Sequence, residues 1–319
     1  MTELLAADPA GIARAAALLL AGELVAFGTE TVYGLGARAA DGEAVARIYE
    51  AKGRPRFNPL ICHYLSADAA FRDVADNEMA RALATRFWPG PLTLVLPRRA
   101  DCKVSLLAGA GLATLAVRVP ATAVAQVLLA AVGEAVAAPS ANRSGRISPT
   151  RAEHVMAELG GRIAAVLDSG PCPVGVESTV LDLAGPPVLL RHGGVPREAI
   201  EALVGPVGEA TSPAAAPRAP GQLASHYAPS LPLRLEATSV GTDEALLAFG
   251  PPLAGAGAVF QLSARRDPVE AAARLFEGLR WLDAEGTARG LRRIAAMAVP
   301  GGGLGAAIND RLARAAAPR

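Results

Sequence analysis

A cluster of prolines constrains the fold of this chain more than any other feature. The cluster consists of Pro206, Pro213, Pro217, Pro220 and Pro229, in a stretch with few charges. Because proline fixes φ and lacks a backbone N–H donor, this stretch is predicted to form no regular helix or strand. The chain is therefore predicted to have a larger domain over residues 1–205, a linker over residues 206–231 and a smaller domain over residues 232–319.

Apolar and amphipathic segments alternate irregularly on both sides of the linker. In the larger domain, strands are predicted over residues 23–27, 59–64, 92–96, 114–119, 135–138, 163–167, 179–183 and 188–191, a Gly-rich turn over 28–36, and helices over 9–21, 41–52, 67–87, 121–132 and 150–160. The smaller domain is predicted to contain strands over residues 233–236, 246–249 and 294–299 and helices over 267–285 and 305–315. This order lacks the even β-α-β alternation of a dinucleotide-binding fold, so we predict a mixed α/β sheet with flanking helices and a smaller α/β domain.

Composition excludes several classes of protein. Hydrophobic residues make up 51% of the chain and charged residues 19%, which is typical of a folded protein rather than a disordered one. Lys and Arg number 31 against 30 Asp and Glu, a net charge of +1, so charge does not indicate contact with nucleic acid. No apolar run approaches the roughly 20 residues of a membrane-spanning helix. Three scattered cysteines, Cys62, Cys102 and Cys172, provide neither a disulfide framework nor a metal site, so a cytoplasmic protein is expected.

The loop over residues 52–59 is a candidate anion site. Lys52 is one of only two lysines in the chain, the other being Lys103. Pro55 and Pro59 favour extended geometry at Arg54 and Asn58, and residues two apart in an extended segment project to the same side. Lys52 and Arg54 are therefore predicted to face one anion together, such as a polyphosphate. The alternative is a solvated basic loop.

Two predicted strands carry polar residues that are costly to bury. His63 lies within an apolar strand, as either a core residue or a ligand-binding residue. Arg118 lies in a second apolar strand, where a charge needs either a sheet edge or an anion at a cavity; we favour the cavity.

Hydroxyl-rich turns that adjoin apolar strands are further candidates for ligand binding. They are residues 29–36, residues 139–145, Ser148, and residues 177–180. A tight glycine turn is an equal alternative for the first, and helix capping accounts for Ser148 whether or not it binds a ligand. The sequence contains no phosphate-binding P-loop, nucleophile elbow or zinc-protease motif.

Together these segments resemble the YrdC-like domain of threonylcarbamoyl-AMP synthases. The resemblance is carried by residues 29–35 (Thr-Glu-Thr-Val-Tyr-Gly-Leu), 52–60 (Lys-x-Arg-Pro-x-x-Asn-Pro-Leu), His63, 88–93 (Trp-Pro-Gly-Pro-Leu-Thr), 117–120 (Val-Arg-Val-Pro), 139–145 (Pro-Ser-Ala-Asn-x-Ser-Gly) and 177–180 (Glu-Ser-Thr-Val). Residues 219–229 and 303–312 resemble the linker and terminal segment of the two-domain members, which implies a YrdC-like sheet followed by a Rossmann-like C-terminal domain.

The resemblance also implies an activity. Such enzymes convert L-threonine, bicarbonate or CO₂, and ATP with Mg²⁺ into threonylcarbamoyl-AMP and pyrophosphate, and a separate transferase uses the product to modify tRNA. By matching positions, the threonine-binding residues would be Thr31, His63, Arg118, Ala138 (by its backbone) and Ser178. The ATP-binding residues would be Lys52, Arg54, Asn58, Thr114, Ser140, Asn142, Ser148, Arg191 and Tyr227, with Lys52 and Arg54 also catalytic and Tyr227 closing over the nucleotide as part of a linker lid.

Two alternative functions stay open on the sequence. One is a related carbamoyl-adenylate-forming enzyme, as in hydrogenase maturation, although 319 residues with three cysteines leave no room for the additional modules of those chains. The other is a non-catalytic RNA-binding module, which the net charge disfavours.

Overall fold

The structure is a computed structural model that describes residues 1–210 and 226–318. The strands up to the linker are β1 (Glu3–Ala6), β2 (Val25–Gly28), β3 (Tyr33–Arg38), β4 (Ile61–His63), β5 (Leu92–Pro97), β6 (Thr114–Arg118), β7 (Val136–Ala137), β8 (Ala165–Asp168), β9 (Thr179–Asp182), β10 (Val188–Arg191) and β11 (Gly208–Glu209). The helices in the same region are α1 (Pro9–Leu20), α2 (Gly42–Lys52), α3 (Ala67–Ala70), α4 (Glu78–Phe87), α5 (Ala123–Val132), α6 (Ala152–Leu159) and α7 (Arg197–Val204). After residue 226 come β12 (Leu233–Arg234), β13 (Glu244–Phe249), β14 (Ala258–Ser263), α8 (Pro268–Ala288), β15 (Arg293–Ala296) and α9 (Leu304–Ala316).

Within the described part of the first domain, eleven strands form one mixed sheet in the order β1-β8-β2-β3-β7-β4-β6-β5-β9-β10-β11. Its centre is parallel where β4 pairs with β6 and antiparallel where β4 pairs with β7. Central strands such as β2 and β5 are apolar along most of their length because helices cover the sheet. The predicted mixed α/β sheet with flanking helices is confirmed.

The C-terminal domain is a smaller parallel α/β unit. Its described strands form a four-stranded sheet in the order β12-β15-β13-β14, with every pair parallel. Helix α8 packs with Leu275, Phe276 and Leu279 buried against this sheet. This confirms the predicted second α/β domain. In the described ranges, no helix has both the length and the apolar character to span a bilayer.

The two domains share an apolar core. Val32, Ile147 and Val176 of the first domain belong to the same buried cluster as Phe276 of α8. The backbone at Gly175 (φ +74°) approaches α8 so closely that a Cβ atom would lie 2.4 Å from the Cα of Ala273. Because apolar side chains of both domains pack into one close-packed cluster, the orientation of the two domains is fixed as it is for helices and strands within a single core.

Several sequence predictions about local structure were wrong. The predicted helix over 67–87 is two helices, α3 and α4, because Asn77 caps α4 by accepting a hydrogen bond from the N–H of Ala80. The predicted turn over 28–36 is largely strand β3, which forms a hairpin with β2. Strands β1 and β14 and helix α7 were not predicted at all.

The predicted linker is not irregular throughout. Gly208 and Glu209 form β11, which pairs in parallel with β10, so the sheet of the first domain continues past residue 205. This pairing is compatible with the sequence because the prolines lie on either side of the two paired residues rather than within them. Residues 211–225 of the predicted linker lie outside the described residues.

Candidate active site

A pocket lies where the central strands of the first domain meet residues 226 and 227. It is lined by Thr29, Thr31, Val32, Gly34, Arg54, Ile61, His63, Arg118, Ala138, Pro139, Ser140, Glu177, Ser178, Arg191, His226 and Tyr227. Parallel strands β4 and β6 contribute two of these residues as register partners, because His63 stands beside Arg118 at the ends of those strands. The lining residues come from positions up to 198 apart in the chain, so the fold is what brings them together.

The turn between β2 and β3 contains a chain of hydrogen bonds that involves Thr29, Thr31 and Val32. The Thr29 hydroxyl donates to the Val32 carbonyl at 2.7 Å and lies 2.8 Å from the Thr31 hydroxyl. With its hydrogen used in this way, Thr29 accepts from Thr31, and Thr31 in turn accepts from Arg118 Nη1 at 2.9 Å. The Thr31 oxygen therefore keeps one lone pair that can accept a hydrogen bond from a ligand.

Arg118 is buried and paired within the same turn. Its Nη2 donates to Glu30 Oε1 at 2.5 Å and its Nε donates to the Gly90 carbonyl. Five N–H groups belong to a guanidinium, so two remain for a ligand carboxylate after these contacts and that to Thr31. Glu30 was not among the sequence-predicted site residues, although its place beside Thr31 in the motif was a signal that could have found it.

His63 is a neutral imidazole at physiological pH. Burial, reinforced by the neighbouring Arg118, lowers its pKa from 6.5 to about 3. Its Nδ1 atom is buried and has no hydrogen-bond partner among residues 1–210 and 226–318. A buried unpaired ring nitrogen that lines a pocket is suited to a hydrogen bond with a ligand, which favours the ligand-binding alternative for His63.

Two buried cations belong to this neighbourhood, Arg54 in the pocket lining and Lys52 behind Ser140, but not with the geometry that the sequence predicted. Lys52 is the last residue of α2, and Gly53 ends that helix in the left-handed region (φ +60°), so the extended geometry predicted for this segment is wrong. The Lys52 ammonium donates to the backbone carbonyls of Ser140 and Asn142. Arg54 donates to the carbonyls of Asn58 and Pro59.

The surroundings of these cations are poor in negative charge. Burial, followed by the repulsion of Arg54, lowers the pKa of Lys52 well below its usual value, and burial lowers that of Arg54 to about 10. Backbone carbonyls rather than carboxylates accept the hydrogen bonds of Lys52 and Arg54. Such a pair is stabilised when an anion binds, as a polyphosphate would.

Two buried amides nearby have unused hydrogen-bonding atoms. Both side-chain atoms of Asn58, Oδ1 and Nδ2, and the Oδ1 atom of Asn142 are buried without a partner in the described part of the chain. The Asn142 Nδ2 group donates to the carbonyls of Arg143 and Arg146. Because buried polar groups are usually paired, the unpaired atoms indicate a place for a polar ligand.

Arg191 and Ser178 form the third side of the pocket. The Arg191 guanidinium donates to the backbone carbonyl of Ser178 at 2.9 Å and to its hydroxyl at 3.1 Å. The same hydroxyl lies 2.7 Å from that of Thr93 on β5. This network fixes the start of β9, where the sequence had offered only a weak signal.

Glu177 is the one carboxylate among the residues that line the pocket in the described ranges. Its Oε1 accepts from the Ser148 hydroxyl at 2.6 Å, and its Oε2 accepts from Arg311 of α9 at 2.8 Å. Burial alone would raise its pKa, but Arg311, Arg191 and these hydrogen bonds outweigh that effect and lower the pKa to about 2. Glu177 therefore stays ionised inside the site.

The end of the linker forms the roof of the pocket. Tyr227 is 1% exposed, has a left-handed backbone (φ +62°) and stacks on Phe276 of α8 at 5.4 Å between ring centroids. His226 is also buried and lines the same pocket, and burial lowers its pKa to about 3. The sequence singled out Tyr227 but not the pairing of its ring with the second domain.

The structure brings together thirteen of the fourteen sequence-predicted site residues in one neighbourhood. Those that line the pocket are Thr31, Arg54, His63, Arg118, Ala138, Ser140, Ser178, Arg191 and Tyr227. Four more lie behind the lining residues and are joined to the site by the hydrogen bonds described above: Lys52, Asn58, Asn142 and Ser148. Thr114 lies at the opposite end of β6 from Arg118 and does not line the pocket.

The pocket residues do not form a cage for a resident metal ion. Within the part of the chain that the structure describes, no cluster of three or more His, Cys, Asp or Glu side chains could hold a metal. Both oxygens of Glu177 are already engaged. A dedicated protein Mg²⁺ site therefore does not fit these residues.

A YrdC-like sheet with a cation-rich pocket, closed by a smaller C-terminal α/β domain, defines the class of two-domain Sua5/YrdC-like proteins. The family model described as "Telomere recombination" (Sua5_yciO_yrdC) matches residues 17–193. The model described as "Threonylcarbamoyl-AMP synthase, C-terminal domain" matches residues 195–317. The chain belongs to the threonylcarbamoyl-AMP synthase family.

Similar proteins agree with this assignment. The threonylcarbamoyl-AMP synthase of Pyrococcus abyssi is 42% identical over 96% of this chain and 94% of its own length. The synthase of Bacillus subtilis is 48% identical over 74% of this chain and 69% of its own length. The crystal structure of P. abyssi Sua5 complexed with L-threonine superposes with a TM-score of 0.90, at 39% identity, over 99% of this chain and 97% of that one.

Proposed function

We propose that this protein joins L-threonine, CO₂ in equilibrium with bicarbonate, and ATP to give threonylcarbamoyl-AMP and pyrophosphate. The observation that carries the proposal is that two sets of polar groups share one pocket: Arg54 with the buried Lys52 behind Ser140, and the hydrogen-bonded pair of Arg118 and Thr31. One side of the pocket suits a triphosphate, and the other suits an amino acid with a hydroxyl. A separate transferase would then use the adenylate to modify tRNA.

Threonine would bind beside β4 and β6. The two remaining N–H groups of Arg118 suit its carboxylate, and the free lone pair of Thr31 suits its hydroxyl or amine. His63 and Ser178 add a neutral nitrogen and a hydroxyl, and Ala138 contributes backbone contact. Neutral His63 does not repel the threonine amine, as a charged imidazole would.

ATP would bind along the other side of the pocket. Lys52, Arg54 and Arg191 would offset the charge of the triphosphate, and a set of polar groups with unused or adjustable hydrogen bonds would surround it. That set is Asn58, Ser140, Asn142 and Ser148; Thr114, which does not line the pocket, has no place in it. Tyr227 would cover the nucleotide from the linker side, as a lid that excludes water from the reactive adenylate.

The reaction needs positioning and charge rather than a covalent nucleophile. The threonine amine attacks the carbon of CO₂ and loses a proton, which gives a carbamate. A carbamate oxygen then attacks the α-phosphorus of ATP, the bond from that phosphorus to the β-phosphate oxygen breaks, and pyrophosphate leaves. Lys52 and Arg54 would stabilise the charge that develops on the leaving group, and proximity of the bound reactants supplies much of the rate. Mg²⁺ would enter on the phosphates of ATP and neutralise part of their charge.

Release of pyrophosphate tests this function. The purified chain is incubated with ATP, Mg²⁺ and bicarbonate, and with threonine, serine or no amino acid. Release that depends on threonine is expected, and release independent of any amino acid would contradict the proposal. Replacement of threonine and bicarbonate by carbamoyl phosphate distinguishes the carbamoyl-adenylate alternative, and RNA binding without pyrophosphate release would favour the binding module.

A further inference from the structure

The C-terminal domain reaches the pocket through one residue of its last helix. Arg311 on α9 is completely buried, and its Nε donates to Glu177 Oε2 at 2.8 Å. Its Nη1 donates to Asp310 Oδ2 at 2.6 Å. A cation from the second domain is therefore held directly behind a carboxylate that lines the pocket of the first.

Arg311 also contacts the roof of the pocket. Its guanidinium carbon lies 5.3 Å from the centroid of the Tyr227 ring, within the range of a cation–π interaction. The backbone N–H of His226 donates to the carbonyl of Arg314, one turn further along α9. Helix α9 therefore contacts both linker residues that line the pocket, and it also contacts Glu177, the carboxylate of the pocket lining.

Stability alone is a weak reason for such an arrangement. The Nη2 group of Arg311 is buried with no hydrogen-bond partner in the described ranges, and a buried unpaired donor carries a cost. Replacement of a buried ion pair by well-packed apolar residues is often neutral or stabilising. The location of Glu177 points instead to a role at the site, because an uncompensated carboxylate there would repel a triphosphate.

We propose that Arg311 is a positioning residue of the ATP side of the pocket, which neutralises Glu177 and holds Tyr227 in place from the C-terminal domain. This inference rests on the proposed function, because it assigns the second domain a part in ATP binding. Threonine, which would bind beside Arg118 and His63, gains no such contribution. Loss of Arg311 is therefore expected to separate the affinities for the two substrates.

The test measures ATP and threonine dissociation constants by calorimetry on the full chain. Arg311→Met is expected to weaken ATP binding by about tenfold or more and to leave threonine binding within about twofold of the wild type. Arg280→Met is the matched control, because Arg280 forms another interdomain ion pair, with Glu158 at 2.6 Å, but does not line the pocket. The control is expected to lower the midpoint of thermal unfolding without separating the two affinities.

Two further variants distinguish charge from structure. Arg311→Met combined with Glu177→Gln removes both charges, so it is expected to recover ATP binding to within about threefold of the wild type. Arg311→Lys keeps the positive charge and is expected to bind ATP almost normally, which keeps the test decisive if Arg311→Met does not fold.

Three results would overturn the inference: ATP binding by Arg311→Met like that of the wild type, a double variant no better than the single one, or an equal loss in Arg280→Met. A wild-type chain that binds no ATP would instead contradict the proposed function.

Discussion

Replacement of Arg54 by alanine is expected to weaken ATP binding far more than it affects the fold. Arg54 is 7% exposed and donates to the carbonyls of Asn58 at 3.2 Å and Pro59 at 3.0 Å. Loss of these two bonds costs roughly 1–3 kcal/mol of stability, at about 0.5–1.5 kcal/mol each. A domain pair of this size is expected to stay folded after such a loss.

The cost to ATP binding comes in addition. A charge-assisted contact to phosphate contributes about 1.5–3 kcal/mol, so the dissociation constant for ATP is expected to rise by roughly 10- to 150-fold. Arg56 provides a matched control, because it is an exposed arginine in the same loop. Arg56→Ala is expected to bind ATP within about twofold of the wild type.

The two costs are measured separately. Urea unfolding gives the change in stability, and equilibrium binding of a non-hydrolysable ATP analogue, at a temperature where both variants are folded, gives the change in affinity. Folded Arg54→Ala that binds the analogue as the wild type does, or Arg56→Ala that loses as much affinity as Arg54→Ala, would refute the role of Arg54 in ATP binding.

Three further predictions concern the same pocket. Lys52→Ala is expected to lower the rate of pyrophosphate release by at least about tenfold, whereas Lys103→Ala, which removes the other lysine from an exposed position, should leave the rate unchanged. Threonine should react faster than serine, because a pocket shaped for the additional methyl group gains about 1–3 kcal/mol, and valine should be worse than either; equal rates with threonine and valine would contradict the roles of Thr31 and Arg118. Burial lowers the pKa of His63 from 6.5 to about 3. Between these pH values the unfolded chain binds a proton at this histidine that the folded chain does not bind. The free energy of unfolding therefore falls as the pH falls through this window. At pH 5 this amounts to about 2 kcal/mol. His63→Gln should therefore reduce the slope of the unfolding free energy against pH between 4.5 and 6.5, while His154 and His226, whose pKa values burial also lowers, keep part of that slope. Urea titrations of the variant and the wild type at several pH values would detect the change.

Much of the local structure could be predicted because its causes are local. Strand β5 is a short apolar run, and α2 begins after Asp41, whose side chain accepts from the N–H groups of Glu43 and Ala44. The break between α3 and α4 also had a local signal in the cap at Asn77, which periodicity alone obscured.

Strand β3 could not be predicted from local preference. Gly34 and Gly36 favour a turn, but a Cβ atom at Gly36 would lie 2.9 Å from the Phe27 ring and 3.0 Å from Val136. Glycine is required there by close packing between strands, not by a turn. The reason lies in the neighbouring strands and is absent from the segment itself.

The site shows the same division. The residues that we propose to contact the substrates lie in compact motifs, so Thr31, Arg54 and His63 could be singled out from the sequence. Their partners could not, because the partner is chosen by the tertiary fold: Glu177 meets Arg311 across 134 positions of the chain. The extended geometry assigned to Lys52 was wrong for a local reason: the lysine is the last residue of the predicted helix, and Gly53 ends that helix in the left-handed region.

Direct detection of the product tests the central claim. The wild-type chain is incubated with ATP, Mg²⁺, threonine and ¹³C-labelled bicarbonate, and the mixture is analysed at once by mass spectrometry. We expect a threonylcarbamoyl-adenylate that carries one ¹³C atom, forms together with pyrophosphate and is absent when threonine is omitted. Pyrophosphate release without a labelled adenylate, or a labelled adenylate that forms without threonine, would contradict the proposed function.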